Sequence, residues 1–206
     1  MARTSNRLHT PEGTARFASV FQARQRKDKN GNPQGEPKYE ITLIFDEDAD
    51  LSDLEAAAKA KGEEKFGAKF MQLVQKGKAN WPFGDNADRV DDDDNPIVGF
   101  DKPGINVKFK TSEKPGVVDA DAEPIMDKSE LYDGCRVRVS CRPYAYDNES
   151  KGVAFLLINV QKLDDGDRLS GDPSAEDDFK PAKKTAGKKT TTVSKSKRSA
   201  DVDDLL

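Results

Sequence analysis

The sequence has very few of the side chains on which metal-ion and nucleophilic chemistry most often depend. Its 206 residues include one histidine, His9, and two cysteines, Cys135 and Cys141. A Ser-His-Asp triad or a Cys-His dyad would have no suitable general base, since the single histidine, His9, lies in an aperiodic N-terminal stretch. The two cysteines would be about 20 Å apart along an extended strand, too far to share a zinc ion or a disulfide. We expect both to be small core residues.

Long apolar runs are also absent. No segment approaches the ~18–20 apolar residues that span a membrane, and no stretch near Met1 has the form of a signal peptide. No glycine-rich phosphate loop followed by Lys and Ser or Thr occurs. With so few cysteines, the composition favours a reducing intracellular compartment, no membrane partner and no bound cofactor. A binding protein is favoured over an enzyme.

Charged residues make up 35% of the chain, but the two signs are unevenly distributed. From Lys180 onward, 8 Lys or Arg and 3 Asp lie in a low-complexity stretch rich in Lys, Thr, Ala and Ser. This composition offers too little apolar surface to fold, so disorder is predicted there. We expect a packed domain over residues 1–179, in which 1–13 could form a flexible arm. Residues 180–206 would form a Lys/Thr-rich tether with an acidic tag.

Alternating apolar and polar residues predict a mainly β domain. The clearest case is CRVRVSCRPYAYDNESKGVAFLLINVQKL, which predicts two strands joined by a loop near residues 148–152. Three further strands are predicted at GTARFASVFQARQ, KYEITLIF and INVKFK. In the first of these, Phe17 and Phe21 share one face and are interpreted mainly as core. Asn30-Gly31 is the predicted reversal between the first two strands.

One helix is predicted from about residue 50 to residue 76, with an apolar stripe and two weakening glycines, Gly62 and Gly67. One inserted helix and five or six strands suit a small closed barrel of the oligonucleotide-binding (OB) type. A disordered C-terminal tail would follow this barrel. A β-sandwich remains an alternative on strand count alone.

One predicted strand has a cationic and aromatic face. Cys135, Val137, Val139 and Cys141 alternate with an opposite face that carries arginines followed by tyrosines: Arg136, Arg138, Arg142, Tyr144 and Tyr146. An arginine can pair with a phosphate, and a tyrosine ring can stack on any base for ~1–3 kcal/mol. The pattern therefore predicts a surface for unpaired nucleic acid. The plainer interpretation is a solvated sheet face, because outward Arg and Tyr are common on sheets.

Other candidate DNA contacts come from separate segments. Lys108 and Lys110 alternate outward on their own strand and could extend the same surface. Three cations near the end of the first strand could form a rim: Arg24, Arg26 and Lys27. Trp81 could stack on a base or could instead pin its own loop to the barrel.

Acidic stretches of the sequence are candidate metal sites. DDDDNP at 91–96 has Pro96 where the sixth position of an EF-hand loop requires glycine. A magnesium-dependent nuclease or recombination enzyme could use carboxylates from turn-like stretches: Asp119, Asp121, Asp164, Asp165 and Asp167. Solvated acidic loops are far commoner than such sites. A protein-only interaction module is the second alternative.

Five segments follow one another along most of residues 11–179: PEGTARFASVFQARQ, KYEITLIF, PGVVDADAEPI, the LYDGCRVRVSCRPYAYDNESKGVAFLLINVQKL hairpin and SAEDDF. In this order they resemble the single-stranded DNA-binding proteins of tailed bacteriophages. The resemblance implies an OB-type barrel that binds unpaired DNA during phage replication and recombination in the host cytoplasm. The long NADRVDDDDNPIVGFDKPG region could be individual to this chain.

The same resemblance implies an acidic C-terminal tail that competes with DNA and recruits replication or recombination proteins. The matching positions close the chain: Asp201, Asp203, Asp204, Leu205 and Leu206. A leucine stands here where some relatives end in an aromatic residue. The alternative for the tag is a plain solubilising end. A homo-oligomer formed through an edge strand is also compatible with the sequence.

Overall fold

The computed structural model describes residues 7–169, which form eight strands and two α-helices. The strands are β1 (Leu8–His9), β2 (Gly13–Lys27), β3 (Pro33–Asp46), β4 (Phe83–Asp85), β5 (Gly104–Thr111), β6 (Gly116–Val118), β7 (Arg136–Asp147) and β8 (Lys151–Asp164). The helices are α1 (Ser52–Phe66) and α2 (Phe70–Gln75). Single 3-10 turns lie at Asn86–Asp88 and Lys128–Glu130. The predicted mainly β fold is confirmed.

Five strands close into a barrel in the order β2-β3-β5-β8-β7, because β7 pairs with both β8 and β2. β5 and β8 are parallel, whereas the other pairs in the barrel are antiparallel. Inward side chains of the alternating strands fill the interior, where burial of apolar area is the main stabilising term. The largest are Phe45, Phe109, Phe155, Ile41 and Leu43. This closed five-stranded barrel confirms the OB-like prediction and excludes the β-sandwich.

The inserted helix predicted around residues 50–76 is present, but it is divided into two helices near the weakening glycines. α1 ends at Gly67, whose φ of +83° is a left-handed conformation that favours glycine. α1 packs against β7 and β8, and its buried residues are Leu54, Ala58 and Gly62. The break lets α2 turn back so that the Phe70 ring lies directly over Gly62. Neither helix in this part of the chain is long and apolar enough to cross a membrane.

Regular alternation in β2 fails at Phe17, which has a φ of +53°. Arg16, which strict alternation places on the face opposite Phe17, is buried and pairs with Asp133. The Phe17 ring is only partly buried and stacks on Phe100 at a centroid distance of 6.1 Å. Beyond this irregularity Val20 is fully buried, whereas Phe21 is only partly so. The core interpretation of Phe17 is therefore corrected, because strict alternation cannot anticipate a bulge, whereas Phe21 does pack against the core.

Residues 7–13 do not have the form of a loose arm. β1 pairs with β7, with Leu8 opposite Cys141 and His9 opposite Ser140. The backbone amide of the buried Thr10 donates to the Val139 carbonyl oxygen, and the Thr10 hydroxyl accepts a hydrogen bond from the Val139 amide, each at 3.0 Å. This segment thus continues the line of β2 along β7.

Both cysteines of the sequence are buried core residues, and burial raises the pKa of Cys141 to about 12.

Candidate nucleic-acid interface

Two adjoining clefts form a groove on the outer face of the barrel. They share Arg26, Lys38, Lys110 and Tyr144. The ribbon lobe lies against the projecting ends of β2 and β3 and adds Arg24, Lys27, Gln34, Gly35, Glu36, Glu40 and Glu149. The Trp81 lobe lies toward β4 and adds Asn80, Trp81, Pro82, Arg89, Lys108, Tyr146, Asn148, Val153, Ala154 and Phe155.

Strand register brings these side chains together from distant parts of the sequence. Glu40 of β3 lies opposite Lys110 of β5, and Lys110 lies beside Leu156 of β8. Tyr144 of β7 lies opposite Ala154 of β8. Because alternate residues of a strand point to opposite faces, Lys108, Lys110, Tyr144 and Tyr146 share the outer face. The groove therefore runs across the strands.

The two tyrosines offer adjacent rings, with centroids 6.2 Å apart and planes at 47°. Tyr144 is 36% exposed. Its pKa is raised by burial of part of the ring and by the neighbouring Tyr146. The Tyr146 hydroxyl accepts a hydrogen bond of 3.0 Å from the Asn80 side chain, which fixes that ring. Tyr144 thus presents an accessible face on which a planar base could stack.

Positive charge is concentrated in the groove although the whole chain has a net charge of −4. The pKa of Lys110 is lowered, first by burial and then by repulsion from Lys108, Arg26 and Lys38, while Glu40 opposes this effect. Glu40 also pairs with Lys108 at 3.6 Å. Cations that repel one another are stabilised by an anion placed between them, so this cluster suits a phosphate.

Trp81 both pins its loop and lines the groove. Its ring lies 6.2 Å from Phe70 and 5.3 Å from Phe83, within a row of aromatic rings that continues to Phe155. The loop is also held by Asn80, whose backbone exchanges hydrogen bonds with Lys151 and Val153 at the start of β8. The half-buried indole is consequently fixed in position before any ligand binds.

The structure brings together eight of the predicted site residues and leaves three apart. The groove contains Arg24, Arg26, Lys27, Trp81, Lys108, Lys110, Tyr144 and Tyr146. Arg136 and Arg138 line neither lobe: Arg136 binds Glu12 at 2.7 Å, and Arg138 donates to Gln161 at 2.8 Å. Arg142 is exposed opposite Leu156, two residues before Tyr144, but it does not line a lobe.

Two cations of the groove were missed as site residues. Lys38 could have been found, because its place in β3 opposite Arg24 follows from the predicted hairpin. Arg89 could not, because it lies in an acidic segment with no periodicity. Its guanidinium group is held by Asn106, which strict alternation with Lys108 and Lys110 would place on the outer face of β5. Asn106 is instead 1% exposed, because β4 pairs with β5 over it.

The acidic run at 91–94 forms a tight turn. The Asp91 carboxylate accepts hydrogen bonds from the backbone amides of Asp93 and Asn95, which lower the pKa of that carboxyl. Within residues 7–169, no cluster of three or more His, Cys, Asp or Glu side chains is placed to hold a metal ion. The residues of the predicted tail, from Asp201 to Leu206, lie outside this range.

The chain matches the model of a protein family described as Enterobacter phage Enc34, ssDNA-binding protein, over residues 9–190. The chain belongs to this family. The predicted resemblance to phage single-stranded DNA-binding proteins is thereby confirmed.

Other comparisons agree with membership of the Enc34 family. The chain is 28% identical to protein p50 of Acyrthosiphon pisum secondary endosymbiont phage 1 over 143 residues, which cover 67% of this chain and 75% of that protein. The fold is similar to that of the single-stranded DNA-binding protein from bacteriophage Enc34 in complex with ssDNA, with a TM-score of 0.56 and 20% identity. That alignment covers 81% of this chain and 91% of the other.

A second solved structure extends the likeness beyond the Enc34 protein. The single-stranded DNA-binding protein gp2.5 encoded by bacteriophage T7 matches with a TM-score of 0.53 and 17% identity, covering 84% of this chain and 91% of the other. At such identities the similarity establishes a shared fold.

Proposed function

We propose that this protein binds single-stranded DNA, independently of base sequence, in the groove formed by the ribbon lobe and the Trp81 lobe. The observation that carries the proposal is the exposed ring of Tyr144 beside the cationic cluster around Lys110. A base can stack on the ring while neighbouring phosphates meet the cations, and neither contact depends on base identity. Duplex DNA hides its base faces, so the groove favours unpaired strands.

The family and the fold support this proposal. The Enc34 protein solved with ssDNA has the same fold, and the groove here crosses the barrel strands, as the OB architecture allows. The proposed contacts are Arg24, Arg26, Lys27, Trp81, Lys108, Lys110, Tyr144 and Tyr146, joined by Lys38. The role is binding rather than catalysis, in phage DNA replication and recombination in the host cytoplasm.

Replacement of Tyr144 by alanine tests the groove. We expect Tyr144→Ala to weaken binding of a mixed-sequence single strand by ~1–3 kcal/mol, the contribution of one stacked base. Fluorescence anisotropy with a labelled oligonucleotide measures the loss. Tyr144→Phe is the matched control, since it keeps the ring and should keep the affinity. Equal affinity of Tyr144→Ala and the unsubstituted protein, with both folded by circular dichroism, would reject this surface.

The proposal extends to the part of the chain that lies outside the described residues. Residues 1–179 would be the DNA-binding domain, and 180–206 a tether that ends in an acidic tag. The tag would compete with DNA for the cationic groove, because a flexible linker gives a tethered polyanion a high effective concentration. When DNA displaces it, the tag would bind replication or recombination proteins through its acidic residues and terminal leucines.

A further inference from the structure

The guanidinium group of Arg89 is held in a fixed orientation at the edge of the Trp81 lobe. Its Nε donates to Asn106 Oδ1 at 3.0 Å, and one terminal nitrogen donates to the same oxygen at 2.7 Å. A guanidinium group has five N–H donors, so three remain after these two bonds. Arg89 is half-buried and is one of the residues that line the lobe.

Asn106 is itself locked by its surroundings. It is 1% exposed, and its amide nitrogen donates to the carbonyl oxygens of Gly84 at 3.1 Å and Asp85 at 3.0 Å. The same nitrogen is 3.3 Å from Oδ1 of Asn86, another buried asparagine, whose own amide donates to the carbonyl oxygen of Lys102. With the side-chain amide of Asn106 turned by 180°, these hydrogen bonds would be lost. The network therefore fixes Asn106 Oδ1 as the acceptor for Arg89.

The Trp81 lobe differs chemically from the ribbon lobe. Among the described residues, those that line it include five cations and no carboxylate, whereas three glutamates line the ribbon lobe. Lys108, which shares the Trp81 lobe with Arg89, is already paired with Glu40 at 3.6 Å. Arg89 is held by an uncharged amide, which does not neutralise the positive charge of its guanidinium group. An anion that enters this lobe would meet a cation whose orientation is already fixed by Asn106, in a cleft that Trp81 also lines.

We propose that Arg89 is a preorganised contact for a backbone phosphate of the bound single strand, and that Asn106 is the residue that positions it. The inference rests on the proposed function and adds a phosphate subsite beside Trp81. Preorganisation matters because an ordered guanidinium group loses less conformational freedom on binding than a mobile lysine. The planar fork also fits two phosphate oxygens at once, which an ammonium group cannot do.

Replacement of Arg89 by glutamine removes the charge while leaving an amide that can still donate toward Asn106. Each phosphate contact contributes ~0.7 to the slope of log affinity against log salt for single strands. The ratio of unsubstituted to Arg89→Gln affinity should therefore fall by about 2.5-fold between about 50 and 200 mM salt. Arg89→Lys keeps the charge but loses the fork, so it should retain the salt slope and bind more weakly at every salt concentration.

The matched control is Lys59→Gln, the same change of charge at an exposed position of α1 that lines neither lobe. It should leave the slope unchanged, as measured by anisotropy on the full chain. If Arg89→Gln leaves the slope of log affinity against log salt unchanged while Tyr144→Ala weakens binding, the phosphate subsite is rejected. The proposal that the groove binds single-stranded DNA is then retained. If the unsubstituted protein does not bind single strands at all, both proposals fail. A slope that falls equally in Lys59→Gln and Arg89→Gln also overturns the subsite.

Discussion

Three turns in this protein are built on the same arrangement around an aspartate. The carboxylates of Asp28, Asp91 and Asp119 each accept hydrogen bonds from the backbone amides two and four residues later, at 2.8–3.0 Å. The fourth residue of each turn has a left-handed backbone: Gly31, Asp94 and Ala122, with φ of +84°, +62° and +67°. Glycine is the residue that adopts this conformation without steric cost, yet it occurs in only one of the three turns.

Ala122→Gly should therefore stabilise the protein. A left-handed conformation costs a non-glycine residue roughly 1–2 kcal/mol, partly offset by the ~0.5–1 kcal/mol of extra chain entropy that glycine loses on folding. The free energy of unfolding in urea should rise by up to about 1 kcal/mol.

Gly31→Ala makes the reverse change in the equivalent turn, where an added Cβ would meet no atom within 4 Å. It should lower the free energy of unfolding by a similar amount, through backbone strain alone. If both variants unfold at the urea concentration of the unsubstituted protein, the left-handed strain assigned to these turns is absent.

At the scale of elements, the contact between α1 and α2 connects the helices to the groove. An ideal Cβ at Gly62 would lie 2.2 Å from the Phe70 ring, so the absence of a side chain there lets the helices touch. The Phe70 ring also lies 6.2 Å from the Trp81 ring between centroids, and Trp81 lines the groove. The placement of Trp81 in the groove thus depends on a glycine that would otherwise weaken a helix.

Gly62→Ala is expected to destabilise the protein although alanine is the better helix former. The gain in helix propensity is about 1 kcal/mol, whereas overpacking costs typically 1–3 kcal/mol and here involves a rigid ring. The melting temperature measured by thermal unfolding should therefore be lower than that of the unsubstituted protein. The double variant Gly62→Ala with Phe70→Leu should lose less than the sum of the single variants, because the smaller side chain relieves the clash. Strict additivity would show that the two residues do not interact.

At the scale of the whole molecule, charge is segregated rather than balanced. The groove gathers cations from β2, β3, β5 and the segment after β4, while the chain as a whole is acidic. Closure of the barrel is what brings these segments to one face. A total charge of −4 therefore says little about which polymer the protein binds, since local fields decide association with a polyanion.

Deletion of residues 199–206 tests the proposed competition by the tag. Single-stranded DNA should bind more tightly to the truncated protein, most clearly at low salt, because screening weakens an electrostatic competitor. Anisotropy titrations at several salt concentrations measure the difference. A full-length variant with Asp201, Asp203 and Asp204 changed to asparagine should behave like the deletion. Unchanged or weaker binding in both proteins would contradict the competition.

Part of the groove could be predicted because it depends on local alternation. Tyr144 and Tyr146 share a face of β7, and Lys108 and Lys110 share a face of β5, wherever those strands lie in the fold. The same rule placed Arg136 and Arg138 with the tyrosines, but those arginines are engaged by Glu12 and Gln161 outside the groove. A strand of twelve residues in a tilted barrel passes from one surface environment to another along its length.

The five barrel strands, the mainly β class and the family could be predicted from the sequence, because alternation and segment order are properties of the chain. Tertiary structure alone decided that Arg16 is buried, that Asn106 is covered by β4 and that Arg89 reaches the groove. Those outcomes depend on contacts between residues far apart in the chain, such as Arg16 with Asp133, and on a bulge at Phe17. Periodicity reports which side of a strand a residue occupies, whereas only the packed barrel determines what lies on that side.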